Sequence, residues 1–303
     1  MASVWVQLSA EVDEANAELS ALALHEHGAG ALEWRDATVQ LPDGIAAPAP
    51  GRVWLRAYFP SADEALEARD AVTTSDAAAL IQLLPVVEKE WAAQHPSVRA
   101  GRVWVGPPEQ ASLEAGDAEV TVLLPPGTAF GNGDHPSTLA CLEYLDAHLP
   151  QRDDVTPMNV LDVGTGTGVL AITARKLGAA RVTGVDISAD AIERAQQNAV
   201  RNLGADTVSL TLSTAPVETL QEQFDLVIAN ILDPVLLALA EPICARLSHG
   251  PPARLILAGI RSSERAKIES AYLAQGLTLL SSNVRERSGH ANTWVFLEFA
   301  RRT

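Results

Sequence analysis

Apolar and polar positions along this 303-residue chain follow two rhythms. Over the first ninety residues, short apolar runs bracket two stretches with helical spacing. Residues 4–8 (VWVQL) read as a strand, 12–27 as a helix, 29–34 and 38–41 as strands, and 52–59 as another strand after a proline-rich loop at 42–50. A second helix is predicted over 62–72 and a last apolar stretch over 80–87. The helix readings rest on N-terminal polar residues at Ser9/Asp13 and Ser61/Asp63, and on the spacing of Leu19, Leu22 and Leu24. This order, with antiparallel neighbours in so few residues, predicts a small ferredoxin-like α+β domain over residues 1–87. It contains no glycine-rich loop and no nucleophile–base pair, so recognition is its expected task.

Residues 88–126 read as a linker. A short helical piece at 88–94 and strands at 102–105 and 120–124 are separated by His95-Pro96 and Pro107-Pro108, which forbid a continuous helix. From residue 127 to 303 the rhythm changes to apolar runs alternating with helical stretches. Strands centred on Val160, Val182, Val208, Leu226 and Leu255 imply a doubly wound parallel sheet with helices on both faces. Two more strands, 278–284 and 293–299, are joined by a link too short for a helical crossover, so this last pair must be antiparallel.

The densest chemical signal is residues 159–188, NVLDVGTGTGVLAITARKLGAARVTGVDIS. A buried strand runs into Gly164, Gly166 and Gly168, then a helix, then a strand ending in Asp186. Glycines let the backbone approach a ligand closely, the helix start offers free N–H groups, and the acid is placed to accept from two ribose hydroxyls. A dinucleotide turn reads GxGxxG, whereas here Val169 stands where the third glycine belongs. Asp162 lies two residues before the first glycine. This combination resembles motif I and the following motif of class I S-adenosylmethionine-dependent methyltransferases, and the resemblance implies a ligand with an adenosine and no pyrophosphate, S-adenosylmethionine.

Composition narrows the picture further. A net charge of −16 disfavours a direct reader of nucleic acid, which needs clustered Lys and Arg, and suits a cationic partner. The longest apolar run, 226–240, is broken by Asn230, Asp233 and Pro234, so no membrane span is expected. The N-terminus has neither a basic start nor a cleavable apolar core, which leads to an expected cytoplasmic location. The two cysteines, Cys141 and Cys244, lie far apart and read as core thiols. The seven histidines form no ligand set, so no metal is expected.

Four motifs carry a family resemblance: AFGNGDHPST at 129–138, LDVGTGTGVLAI at 161–172, GVDIS at 184–188 and ANIL at 229–232. The chain resembles the PrmA family, bacterial methyltransferases that modify amino groups of ribosomal protein L11 of the large subunit. Glu90-Trp91 and GRVWV at 101–105 extend the likeness over the whole length. The resemblance implies lysine or N-terminal amino groups of L11, free or in the large subunit, as methyl acceptors. It also implies cofactor contacts at Thr138, Gly164, Asp186 and Asn230, to which the turn itself adds Asp162, Gly166 and Gly168. The family loop usually has threonines where this chain has Asn132, Asp134 and Ser137, and a carboxylate at Asp134 would alter how an amine approaches. His135 reads as a helix cap.

Asn230 is the expected catalytic residue. It ends the fourth parallel strand, where ligands bind in such sheets, and its side-chain oxygen can accept a hydrogen bond from an amine. Two alternatives use the same residues: a methyltransferase of another protein's lysines or of a small amine, and a non-catalytic S-adenosylmethionine-binding regulator.

Overall fold

The computed structural model describes residues 4–29, 31–35, 48–59, 61–87, 97–125, 135–149, 158–250, 253–286 and 293–302. The chain divides into two compact units. In the first, β1 (Val4–Asp13), α1 (Ala17–Glu26), β2 (Ala31–Arg35), β3 (Arg52–Phe59), α2 (Ala62–Ser75) and β4 (Leu80–Val87) follow one another. The sheet order is β2-β3-β1-β4, antiparallel throughout, as a ferredoxin-like domain requires. Alternate residues of β1 (Leu8, Ala10, Val12) and β3 (Val53, Leu55, Ala57) bury against Ala21 and Leu24 of α1 and Ala65, Ala68 and Val72 of α2. Ser61 caps α2 by accepting from the Glu64 N–H at 3.2 Å.

The expected helix over 12–27 starts later than its sequence suggests. The period-two pattern of Leu8, Ala10 and Val12 carries β1 through Asp13, which pairs with Arg52, and the helix begins only at Ala17. Cross-strand pairing on both edges of β1 outweighs the local helical propensity of its last residues. The strand expected at 38–41 and the helical piece at 88–94 lie outside the described residues.

The second unit opens with β5 (Val98–Ala100), β6 (Val103–Gly106), α3 (Pro108–Glu114) and β7 (Val120–Leu123). The segment read as a linker therefore contains a small sheet, ordered β5-β6-β7. Its Ala100, Val103, Val105, Val120 and Val122 share one core with Cys141, Leu142 and Leu145 of α4 (Pro136–His148). Arg102 also pairs with Asp146 of α4 at 2.9 Å. Residues 97–125 are thus a built part of the second unit, because their apolar positions are spent on its core.

There follow β8 (Asn159–Val163), α5 (Val169–Lys176), β9 (Arg181–Val185), α6 (Ala189–Leu203), β10 (Leu210–Ser213) and β11 (Leu226–Asn230). After these come α7 (Asp233–Ala238), α8 (Ala240–Arg246), β12 (Arg254–Arg261), α9 (Arg265–Ala274), β13 (Leu277–Glu286) and β14 (Thr293–Arg301). The seven strands lie in the order β10-β9-β8-β11-β12-β14-β13. The first five are parallel, and β14 inserts antiparallel between β12 and β13. The strand expected around Val208 lies slightly later: Val208 sits in a 3-10 turn, 91% exposed, and Leu210 begins the strand.

Near-continuous apolar runs in the central strands follow from burial on both faces. Val160, Leu226, Ile228, Ile256 and Ala258 face one core with α4 and α5. Leu161, Val163, Val227, Ala229, Leu255 and Leu257 face the other with α7, α8 and α9. Asp162 and Asn230 are the buried polar residues of β8 and β11, both toward the carboxyl ends.

Candidate active site

The glycine turn leaves β8 and is tied at once to its neighbour: the N–H groups of Gly164 and Thr165 both donate to the Val185 carbonyl, at 2.8 and 3.0 Å. Gly164 has φ +72, and a Cβ there would stand 2.1 Å from Cγ2 of Ile231, so only glycine lets the turn close against the end of β11. Gly166 donates its N–H to Oδ2 of Asp186 at 2.9 Å. Gly168 occupies the N-cap of α5. Asn198 of α6 braces the same turn by donating to the Thr167 carbonyl at 3.0 Å, a contact with no signature in the motif itself.

Asp186 joins two elements. Besides Gly166 it accepts from the Ser188 N–H at 3.0 Å, and Ser188 caps α6. Its carboxylate is only partly buried and retains lone pairs beyond the two it uses. Ile187 beside it is 70% exposed, an apolar side chain at the mouth of the turn.

Asp162 is 1% exposed. Thr165 donates its hydroxyl to Oδ2 at 2.7 Å, while Oδ1 is buried without a partner. Burial pushes this carboxyl up to about 6; hydrogen bonds from Thr165 and from the Ala171 backbone oppose the rise, and the nearby charge of Asp186 adds to it.

Asn230 donates Nδ2 to Oγ1 of Thr138 at 3.1 Å, and its Oδ1 is also buried without a partner. Thr138 lies in the first turn of α4 and is fully buried. His135 caps that helix, its Nδ1 accepting from the Ser137 N–H at 3.3 Å, and packs edge-on to Trp294 with ring centroids 4.5 Å apart. Asp134 lies outside the described residues. Beyond Asn230, the buried Asp233 forms an ion pair with Arg261 at 2.6 Å. Gly259, in β12 with φ +80, faces the same turn. Neither Arg261 nor Gly259 stands out in sequence, because each is one residue of an ordinary apolar strand. Their importance arises from β12 lying beside β11.

The seven expected positions therefore fall in one place in the fold, the carboxyl ends of β8, β9 and β11 with the first turn of α4. A buried Asp162 oxygen without a donor, a close-fitting glycine turn and a half-open carboxylate fit a ligand that brings a cationic end and a sugar diol, and the second donorless acceptor, Asn230 Oδ1, is left for another donor. Among the described residues, no cluster of His, Cys, Asp or Glu could hold a metal.

A sheet of five parallel strands with one antiparallel insertion, a glycine turn after the first of them and an acid after the second define a class I S-adenosylmethionine-dependent methyltransferase. S-adenosylmethionine is the methyl donor. The family described as ribosomal protein L11 methyltransferase (PrmA) matches residues 4–302, and the chain belongs to it. A ribosomal protein L11 methyltransferase of Myxococcus xanthus is 38% identical over 99% of this chain and 100% of its own length. One from Geotalea daltonii is 34% identical over 92% and 94%. The crystal structure of a ribosomal protein L11 methylase from Lactobacillus delbrueckii subsp. bulgaricus superposes with a TM-score of 0.57 at 27% identity, over 68% of this chain and 99% of that one. The protein is an enzyme that methylates ribosomal protein L11.

Proposed function

We propose that methyl transfer to lysine or N-terminal amino groups of L11 takes place at Asn230, with the glycine turn, Asp162 and Asp186 holding the cofactor. The observation that carries this reading is the Asn230 Oδ1, a buried acceptor with no donor, at the carboxyl end of the strand beside the glycine turn. S-adenosylmethionine supplies an electrophilic methyl carbon on a sulfonium that leaves as a neutral thioether.

The chain's residues then have four tasks. Asp186 accepts from the ribose hydroxyls with its remaining lone pairs, while Ile187 offers an apolar surface to the purine. Asp162 directs its free Oδ1 at the cationic amino-acid end. The turn, held by Gly166 and Asn198, brings backbone close to the ligand. Asn230 receives an N–H of the incoming amine and turns the nitrogen lone pair toward the methyl group.

An ammonium has no lone pair, so the acceptor must first lose a proton from an ordinary lysine pKa of about 10.4. Burial beside a sulfonium lowers that value. No side chain of the described site is assigned as base. The test is single-turnover methylation of L11 by Asn230→Ala at saturating cofactor and substrate: a large loss of rate with little loss of cofactor affinity is expected, and an unchanged rate overturns the assignment.

The first unit carries no cofactor motif and serves in this reading as the substrate-recognition domain. The acidic chain suits a cationic protein target and disfavours direct binding to nucleic acid. Among the described residues no helix is long and apolar enough to cross a membrane, and cytoplasmic action follows from a ribosomal substrate. Parallel assays on free L11 and on assembled large subunits decide which form is accepted.

A further inference from the structure

An asparagine amide has two faces of opposite character, and an amine donor is held only by the oxygen. If Nδ2 faced the acceptor nitrogen, two donors would oppose donors and the amine would be pushed away. Something must therefore decide the orientation of the Asn230 amide. Two neighbours, from elements far apart in sequence, do so.

The first is Thr138. Its Oγ1 accepts the Asn230 Nδ2 hydrogen bond at 3.1 Å, and both residues are buried, so the donor end of the amide is occupied. The second is Gly259. β11 and β12 stay in register up to the Asn230–Ala258 pair, and the next residue is Gly259, with φ +80. On its other side β12 shifts register against β14 between Leu257 and Ile260. A Cβ at Gly259 would stand 3.2 Å from Oδ1 of Asn230 and 2.6 Å from the Ile231 carbonyl oxygen. A side chain at residue 259 would thus crowd the oxygen end of the amide and press on the backbone that carries it.

We infer that Thr138 and Gly259 are positioning residues that clamp the Asn230 amide, Thr138 by binding its NH2 and Gly259 by leaving room for its oxygen, so that the amide presents an acceptor to the substrate amine. This rests on the reading of Asn230 as the group that receives the amine. It gives Thr138, expected from the family resemblance to touch the cofactor, a role exercised through Asn230.

Thr138→Val keeps the shape of the side chain and removes the acceptor, and Thr138→Ser keeps the acceptor. With L11 as substrate and saturating S-adenosylmethionine, Thr138→Val should slow single-turnover methylation about ten-fold or more while cofactor affinity by calorimetric titration changes less than about three-fold. Thr138→Ser should restore the rate. Gly259→Ala should slow the same step, and it is read only if its thermal unfolding matches the parent protein; Thr138→Val carries the test if it does not.

If Thr138 acts through Asn230, the Thr138→Val/Asn230→Ala protein is no slower than Asn230→Ala alone. Additive losses, or a Thr138→Val protein that loses cofactor affinity and keeps its saturated rate, overturn the clamp. A slow Asn230→Ala with a wild-type Thr138→Val overturns the clamp and leaves the reading of Asn230 standing. A wild-type Asn230→Ala removes both.

Discussion

Gly166 and Asp186, twenty positions apart, meet through a 2.9 Å hydrogen bond from backbone N–H to carboxylate. The acid that follows β9 is therefore also part of the glycine turn that follows β8, so the proposed ribose contact and the turn geometry share one residue. Asp186→Ala should weaken S-adenosylmethionine binding by several kcal/mol, since each hydrogen bond to a charged acceptor is worth about 1.5–3 kcal/mol and the turn loses its anchor as well. Calorimetric titration of the folded variant tests this, and an unchanged affinity would remove Asp186 from the site.

In the proposed role at the cofactor's cationic end, Asp162 should make cofactor affinity depend on pH. Its carboxyl is raised to about 6 by burial, so at neutral pH it is charged and its free Oδ1 attracts a cation. S-adenosylmethionine affinity should fall as the pH drops through about 6, and Asp162→Asn should abolish that step.

The same group affects folding in the opposite sense. Because the folded value lies above the ordinary carboxylate value of 3.8, the native state binds the proton more tightly than the unfolded chain. Its contribution to stability without cofactor is greatest at acid pH and declines as the pH rises from about 4 to about 6. Denaturant unfolding of the parent protein and of Asp162→Asn across that window should show the slope only in the parent.

Arg261→Ala would leave the Asp233 carboxylate buried without its counter-ion, directly after the turn that carries Asn230. Removing one partner of a buried pair costs about 3–5 kcal/mol, and the lower figure applies because the arginine side chain is partly exposed. Urea unfolding should report the loss, and a change below about 0.5 kcal/mol, the range of ordinary surface substitutions, would show the pair to be dispensable.

A chain beginning at Ser97 should fold and bind S-adenosylmethionine, because residues 97–125 pack into the core of the second unit. It should not methylate L11. Full activity of the shortened chain on L11 would refute recognition by the first unit.

Much of the proposed site was legible in the chain because its parts are local. Gly164, Gly166, Gly168 and Asp186 fall within one strand–turn–helix–strand unit, where spacing alone brings them to one turn. The alternating and continuous apolar runs likewise determined an antiparallel first sheet and a parallel second one, since the period of burial is a property of neighbouring residues. The extent of β1 and the fate of residues 97–125 were not legible, because β1 is lengthened by pairing with β3 and β4 and the supposed linker is recruited by α4. Register and core membership are set by partners distant along the chain.

The sequence by itself determined which groups are available: a glycine turn, an acid after the second strand of its unit, and an amide at the end of the fourth. Only the tertiary structure decided how those groups are held. The Asn230 amide is bonded by Thr138, ninety-two positions away, and its oxygen lies beside Gly259, which has no side chain to crowd it. Both depend on α4 and β12 being packed against the end of β11. An amide reads the same in either orientation along a chain, and its direction is settled by whichever buried partner takes its hydrogens.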